Sequence, residues 1–109
     1  MAQVIILENL EREIDKKFKG ESVDIFELML SLENFPKKGK LIGNVGSIAI
    51  KELKYKSFRF YFFVDAFKVK FLGVDELEDL LIRFVRMSDK NSQQKVINEI
   101  KNFLKNLKK

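Results

Sequence analysis

Eight side chains in the middle of this sequence could do chemistry together: Lys51, Lys54, Arg59, Tyr61, Lys68, Lys70, Arg83 and Arg86. Cations interleaved with an aromatic suit RNA, because the cations hold phosphates while a ring stacks on an unpaired base. Cleavage of RNA does not require histidine. The 2′-hydroxyl is itself the nucleophile, a lysine or tyrosine can shift the proton, and an arginine can stabilise the charge of the phosphorane-like transition state. The same cations could equally do no more than keep one face of an antiparallel sheet in water.

Other chemistries are narrowed by composition. The 109 residues contain no cysteine and no histidine, which removes disulfides, thiolate nucleophiles, zinc-thiolate sites and the usual general base. There is no GxxxxGK[ST], GxGxxG or HExxH, and the glycines at 39, 43 and 46 precede a strand rather than a helix N-terminus. The carboxylates of Asp75, Glu76, Glu78 and Asp79 follow no cation-loop spacing and read as an acidic turn or helix start. No cofactor and no metal are expected. The net charge of +5 is unevenly spread: residues 1–46 carry seven basic and eight acidic side chains, 47–73 six and two, and 86–109 seven and two. A localised basic surface is what a polyanion partner requires, and a solvated Lys/Glu-rich surface is the plainer alternative.

The elements that must position these groups centre on Ser57–Val64. Side chains alternate along a strand, so Phe58, Phe60, Phe62 and Val64 would face a core, and Arg59, Tyr61 and Phe63 the other side. Upstream, Gln3–Leu7 reads as a short strand. Leu7, Leu10, Ile14 and Phe18 give helical spacing over 8–18, closed by Gly20. Ser22 is placed to cap a second helix running to about Glu33, where Pro36 stops the pair. Residues 36–46, rich in Gly and Lys, read as the linker to the sheet. Ile48–Leu53 and Phe58–Val64 are strands; Asp65-Ala66 would be a turn and Phe67–Phe71 a third strand, with Lys68 and Lys70 on the face of Arg59. Leu80–Arg86 fits a fourth strand or a helix beginning at Asp75. After a Met87–Asn91 loop, Ser92 would cap a final helix with Val96, Ile100, Phe103 or Leu104, and Leu107 along one stripe, and Lys95, Lys101, Lys105 and Lys108 in water. The fold class expected is α+β: an N-terminal strand and helical hairpin packed on a small, mainly antiparallel sheet, with a C-terminal amphipathic helix, as a single domain over 1–109. No stretch reaches the roughly 18 apolar residues of a membrane span, and the N-terminus lacks a signal-peptide pattern, so a soluble, cytoplasmic protein is expected.

The order of these elements, with Leu41-Ile42-Gly43, Lys51-Glu52-Leu53-Lys54, Phe58-Arg59-Phe60-Tyr61-Phe62 and Phe84-Val85-Arg86-Met87-Ser88-Asp89-Lys90-Asn91-Ser92, resembles the RelE/ParE toxin superfamily. The nearest subgroup is the HigB-like, phage-derived host-inhibition toxins, whose corresponding blocks are "L-G", "ELR", "YRxFYF" and "FVKKSxKTP". The resemblance implies a RelE-like fold and a ribosome-dependent endoribonuclease that cleaves mRNA and is silenced by a cognate antitoxin protein; ParE-type relatives poison gyrase instead. Residue by residue, Arg59 matches the family's strand arginine, and Arg86 and Lys90 match two basic positions of its last block; taken with the basic face read above, the expected catalytic residues are Arg59, Lys54, Arg86 and Tyr61, with Lys51, Lys68, Lys70, Arg83 and Lys90 contacting RNA. Lys54 stands where the family has arginine and lacks the planar fork, Met87 replaces a lysine, Asn91 replaces a threonine, and residues 73–79 are an insertion. A non-catalytic domain of the same fold, binding RNA or an acidic partner protein, is the alternative these departures leave open. A sheet-mediated homodimer with no nucleic-acid role is a third.

Overall fold

In the computed structural model, which describes residues 1–107, the phenylalanine-rich stretch is the central strand of a five-stranded mixed sheet in an α+β fold. In chain order the elements are β1 (Gln3–Ile6), α1 (Glu8–Phe18), α2 (Ser22–Leu30), β2 (Lys40–Val45), β3 (Ile48–Tyr55), β4 (Phe58–Asp65), α3 (Ala66–Phe71), β5 (Leu81–Asp89) and α4 (Gln93–Leu107). The strand order is β1-β5-β4-β3-β2, with β1 parallel to β5 and the other neighbours antiparallel. No helix among the described residues is long and apolar enough to cross a membrane.

Period-two alternation places Phe58, Phe60, Phe62 and Val64 on one face, where they pack with Leu10 and Ile14 of α1 and Ile25 and Met29 of α2. The other face is also covered. Ile50, Tyr61 and Val45 meet Val96, Ile97, Ile100 and Leu104 of α4, so a second apolar layer lies over the strand's outer side. Residues 96, 97, 100 and 104 form one helical face. Leu104 therefore takes the place offered to Phe103, which is 58% exposed, and Leu107 is 67% exposed. Lys95 and Lys105 are exposed as expected and Lys101 is half-buried; Lys108 lies outside the described residues.

Several expected boundaries move, each for a local physical reason. The linker of 36–46 contains β2, whose Leu41–Val45 pair with Ile48–Lys51 around a hairpin at Gly46 (φ 60°); glycine and asparagine sit inside the strand at its bulge. Phe67–Phe71 is helix, not strand: the Asp65 carboxylate accepts from the Lys68 backbone N–H at 2.9 Å and caps the N-terminus of α3. Over six residues, alternation and helical spacing both fit, and the cap decides. Of residues 80–86, Leu81–Arg86 are strand rather than helix, and β5 continues through Met87 and Ser88, which the sequence places in a loop. Lys19 (φ 50°), rather than Gly20, turns the chain after α1, and the Ser22 hydroxyl donates to the Lys19 carbonyl instead of capping α2. Residues 73–79 include a single 3₁₀ turn, Val74–Glu76.

Candidate nucleic-acid interface

β3 is longer than its edge neighbour. The first β2·β3 pair is Lys40 with Glu52, so Leu53, Lys54 and Tyr55 extend past the end of β2. The turn before β2 folds against this open edge. Gly39 sits at φ 105°, and a Cβ there would lie 2.8 Å from Phe62 Cζ and 3.1 Å from the Glu52 carbonyl, so both the dihedral and the space require glycine. Lys51 Nζ donates to the Lys37 carbonyl at 2.9 Å and holds the turn from below. The result is a groove of about 530 Å³ between the turn and the strand edge, lined among others by Lys38, Lys40, Glu52, Lys54 and Arg59.

Lys54 and Arg59 are direct cross-strand partners on the α4 side of the sheet, with Ser88 facing Arg59 from β5. The ion pairs among the described residues are Arg12–Glu8, Lys56–Glu21 and Arg86–Glu99, so Lys38, Lys40, Lys54 and Arg59 share no salt bridge. Arg59 Nη1 reaches only the Phe58 carbonyl, at 3.4 Å, a weak contact that leaves the guanidinium fork available. Like charges gathered outside any salt bridge repel one another, and a phosphate relieves that repulsion while accepting bidentate donors from the arginine. Among the described residues, the carboxylate lining the groove is Glu52, which is 6% exposed. Its Oε2 is the only buried side-chain oxygen or nitrogen among the described residues with no hydrogen-bond partner.

The residues singled out in the sequence are brought together only in part. Lys54 and Arg59 come together, and Arg86 lies on the same face, one step away opposite Tyr61, with its guanidinium donating to Glu99 of α4 at 2.9 Å. Lys90 is exposed in the turn after β5. Tyr61 is on the right face but fully buried under α4, its hydroxyl 2.8 Å from Ser88 Oγ. Burial pushes its pKa up, more than the Ser88 hydrogen bond lowers it, so the phenol neither stacks on a base nor yields its proton readily. That corrects the expected role of Tyr61. Lys51 points to the face of Phe62, covered by α1 and α2, with its Nζ 6.0 Å from the centre of the Phe62 ring; burial, and secondarily Lys37, lowers its pKa. It pins the turn rather than lining the face of Arg59. Lys68 and Lys70 are on α3, off the sheet. Arg83 is on the face of Arg59 but toward the far end, opposite Phe63, in a separate groove with Lys68, Asp65 and Asp79.

Four groups at or beside this site were not expected there. Lys38 and Lys40 were legible as part of a basic turn but not as partners of Arg59, because that requires the β2 pairing. Glu52 alternates onto the face of Arg59 by simple period two, a usable signal. Ser88 became visible only once β5 extended past Met87. Compared with protein-family models, curated proteins and solved structures, the chain returns no match.

Proposed function

We propose that the groove binds the phosphates of single-stranded RNA and that the chain is a cytoplasmic toxin of the RelE/ParE type, nearest the HigB-like group. It would act on mRNA at the ribosome and be held in check by an antitoxin protein. The observation that carries this reading is the pairing of Lys54 with Arg59 across β3 and β4, flanked by Lys38 and Lys40, with no carboxylate bridging any of the four among the described residues. Lysines supply point charges along the backbone, and the arginine supplies the planar fork that grips one phosphate. Arg86 adds a fifth cation once Glu99 releases it.

Cleavage would follow from the same placement. Arg59 would stabilise the charge developing on a phosphate bound in the groove, and Lys54, exposed beside it, would hand a proton to the leaving oxygen. One observation favours the second reading, RNA binding without cleavage: the Tyr61 hydroxyl is committed to Ser88 beneath α4. Expression in a bacterial host separates the two. Growth arrest with discrete mRNA cuts, both abolished by Arg59→Ala, supports the toxin; RNA retention without cuts, ribosomes present, supports the binding domain. Normal growth together with no RNA retention sinks both.

A further inference from the structure

The segment expected to be a third strand is instead a short exposed helix that carries two aromatic rings. Phe67 and Phe71, four residues apart on α3, are 62% and 63% exposed, with ring centroids 5.0 Å apart and planes inclined by 43°. Lys70 Nζ lies 5.4 Å from the centre of the Phe71 ring. Two neighbouring rings left in water cost solvation free energy that a partner covering them would recover. The inward side of α3, Ala66 and Val69, packs on the core, so the rings' outward position is set by the helix register.

The 37–41 turn lies between this platform and the Arg59 groove. A second groove of about 390 Å³, lined by Lys37, Leu41, Lys51, Val69 and Lys70, runs between α3 and the 37–41 turn. The turn is the shared wall: Lys38 and Lys40 face the Arg59 groove, while Lys37 and Leu41 face α3. Acidic side chains gather elsewhere. Glu33, Asp75 and Glu78 line a different groove, and Asp65 is occupied in capping α3. A chain of phosphates held at Arg59 therefore meets lysines in the direction of α3 and carboxylates toward Glu33.

We propose that α3 is a stacking platform for single-stranded RNA: a strand anchored at Arg59 crosses the 37–41 turn and lays bases on Phe67 and Phe71. This extends the function proposed above and rests on it. Every base has a π-face, so the platform would lengthen the bound segment without reading sequence. The experiment measures affinity for a tetranucleotide and a dodecanucleotide of one base by fluorescence anisotropy. The proteins are wild type, Phe67→Ala/Phe71→Ala, Lys70→Glu and Arg59→Ala, each checked for an unchanged melting temperature. The expected result is that the long oligonucleotide binds wild type about tenfold or more tighter than the short one. Both α3 variants would lose most of that gain and leave the short oligonucleotide unaffected, whereas Arg59→Ala would weaken both. A length gain that survives Phe67→Ala/Phe71→Ala overturns the platform and leaves the RNA reading intact. Failure of wild type to bind either oligonucleotide overturns both. Loss of binding to phosphatidylglycerol vesicles in the double variant, with the RNA length gain unchanged, would assign the rings to a membrane surface instead.

Discussion

Replacing Tyr61 with phenylalanine separates a structural phenol from a catalytic one. The side chain is fully buried, and its hydroxyl has one partner, Ser88 Oγ at 2.8 Å, which is itself in a residue only 4% exposed. Tyr61→Phe deletes the hydroxyl without creating a ring-sized void, so the cost is the hydrogen bond plus the stranded Ser88 hydroxyl, about 1–3 kcal/mol. At the scale of a chain near 100 residues, each kcal/mol lowers Tm by about 4 °C. Ser88→Ala strands the Tyr61 hydroxyl instead and should cost a similar amount. The double variant removes both polar groups and should recover part of the loss, giving a coupling of about 1 kcal/mol in a double-mutant cycle measured by chemical denaturation. RNA affinity and any growth arrest should change less than twofold in the single variant, because the hydroxyl does not reach the groove. An alkaline titration followed at 295 nm gives an independent readout. Burial raises the Tyr61 pKa, so its stabilising contribution is complete below about 10 and is lost as pH rises through the folded-state value; its ionisation should coincide with alkaline unfolding. A variant of unchanged Tm that has lost cleavage would refute this reasoning and return Tyr61 to the catalytic centre.

Three other substitutions probe the groove and its frame. Gly39→Ala forces a Cβ against Phe62 at positive φ, and should lower stability by about 1–3 kcal/mol and weaken RNA binding as the turn lifts, read by denaturation and anisotropy on the same samples. Glu52→Gln removes the carboxylate lining the groove, so RNA affinity at low salt should rise several-fold with no fall in Tm; a lower affinity would mean Glu52 itself accepts a donor from the ligand. The Asp89 carboxylate accepts from the Ser92 backbone N–H at 2.8 Å and from its hydroxyl at 2.9 Å, which holds its pKa below the usual value. Its stabilisation is thus present above about pH 4 and lost as pH falls through the lowered value. Asp89→Asn should flatten that part of the acid limb of Tm against pH and leave the neutral baseline only slightly lower.

Where the pattern was long, the fold was legible from residue types alone. Eleven residues of helical spacing define α1, and an eight-residue run dominated by aromatic residues defines β4. The short elements were not legible. β2 carries Gly43 and Asn44, residues that signal a turn and are tolerated here because β2 is an edge strand with a bulge. Phe67–Phe71 alternates over five residues and reads as a strand, whereas the deciding bond, from Lys68 N–H to Asp65, is a local helix cap that the alternation hides. The site follows the same division. Lys54 and Arg59 meet because they flank a two-residue turn at Lys56-Ser57, so their register is fixed locally, with Lys56 at φ 53°. Lys38 and Lys40 join them only through the pairing of β2 with β3. Tyr61 was misplaced because α4, some thirty residues later in the chain, covers it.

Affinity for a short single-stranded RNA as a function of salt, in wild type and in Lys54→Ala/Arg59→Ala, bears most directly on the groove's proposed role. Four cations neutralising phosphates give a slope of log affinity against log salt near −3, from about −0.7 per contact. The double variant should keep its Tm, because both side chains reach solvent and form no ion pair among the described residues, while its slope falls to about −1.4 and its affinity drops at least tenfold at low salt. An unchanged slope and affinity in the folded double variant would contradict the assignment of this groove to RNA.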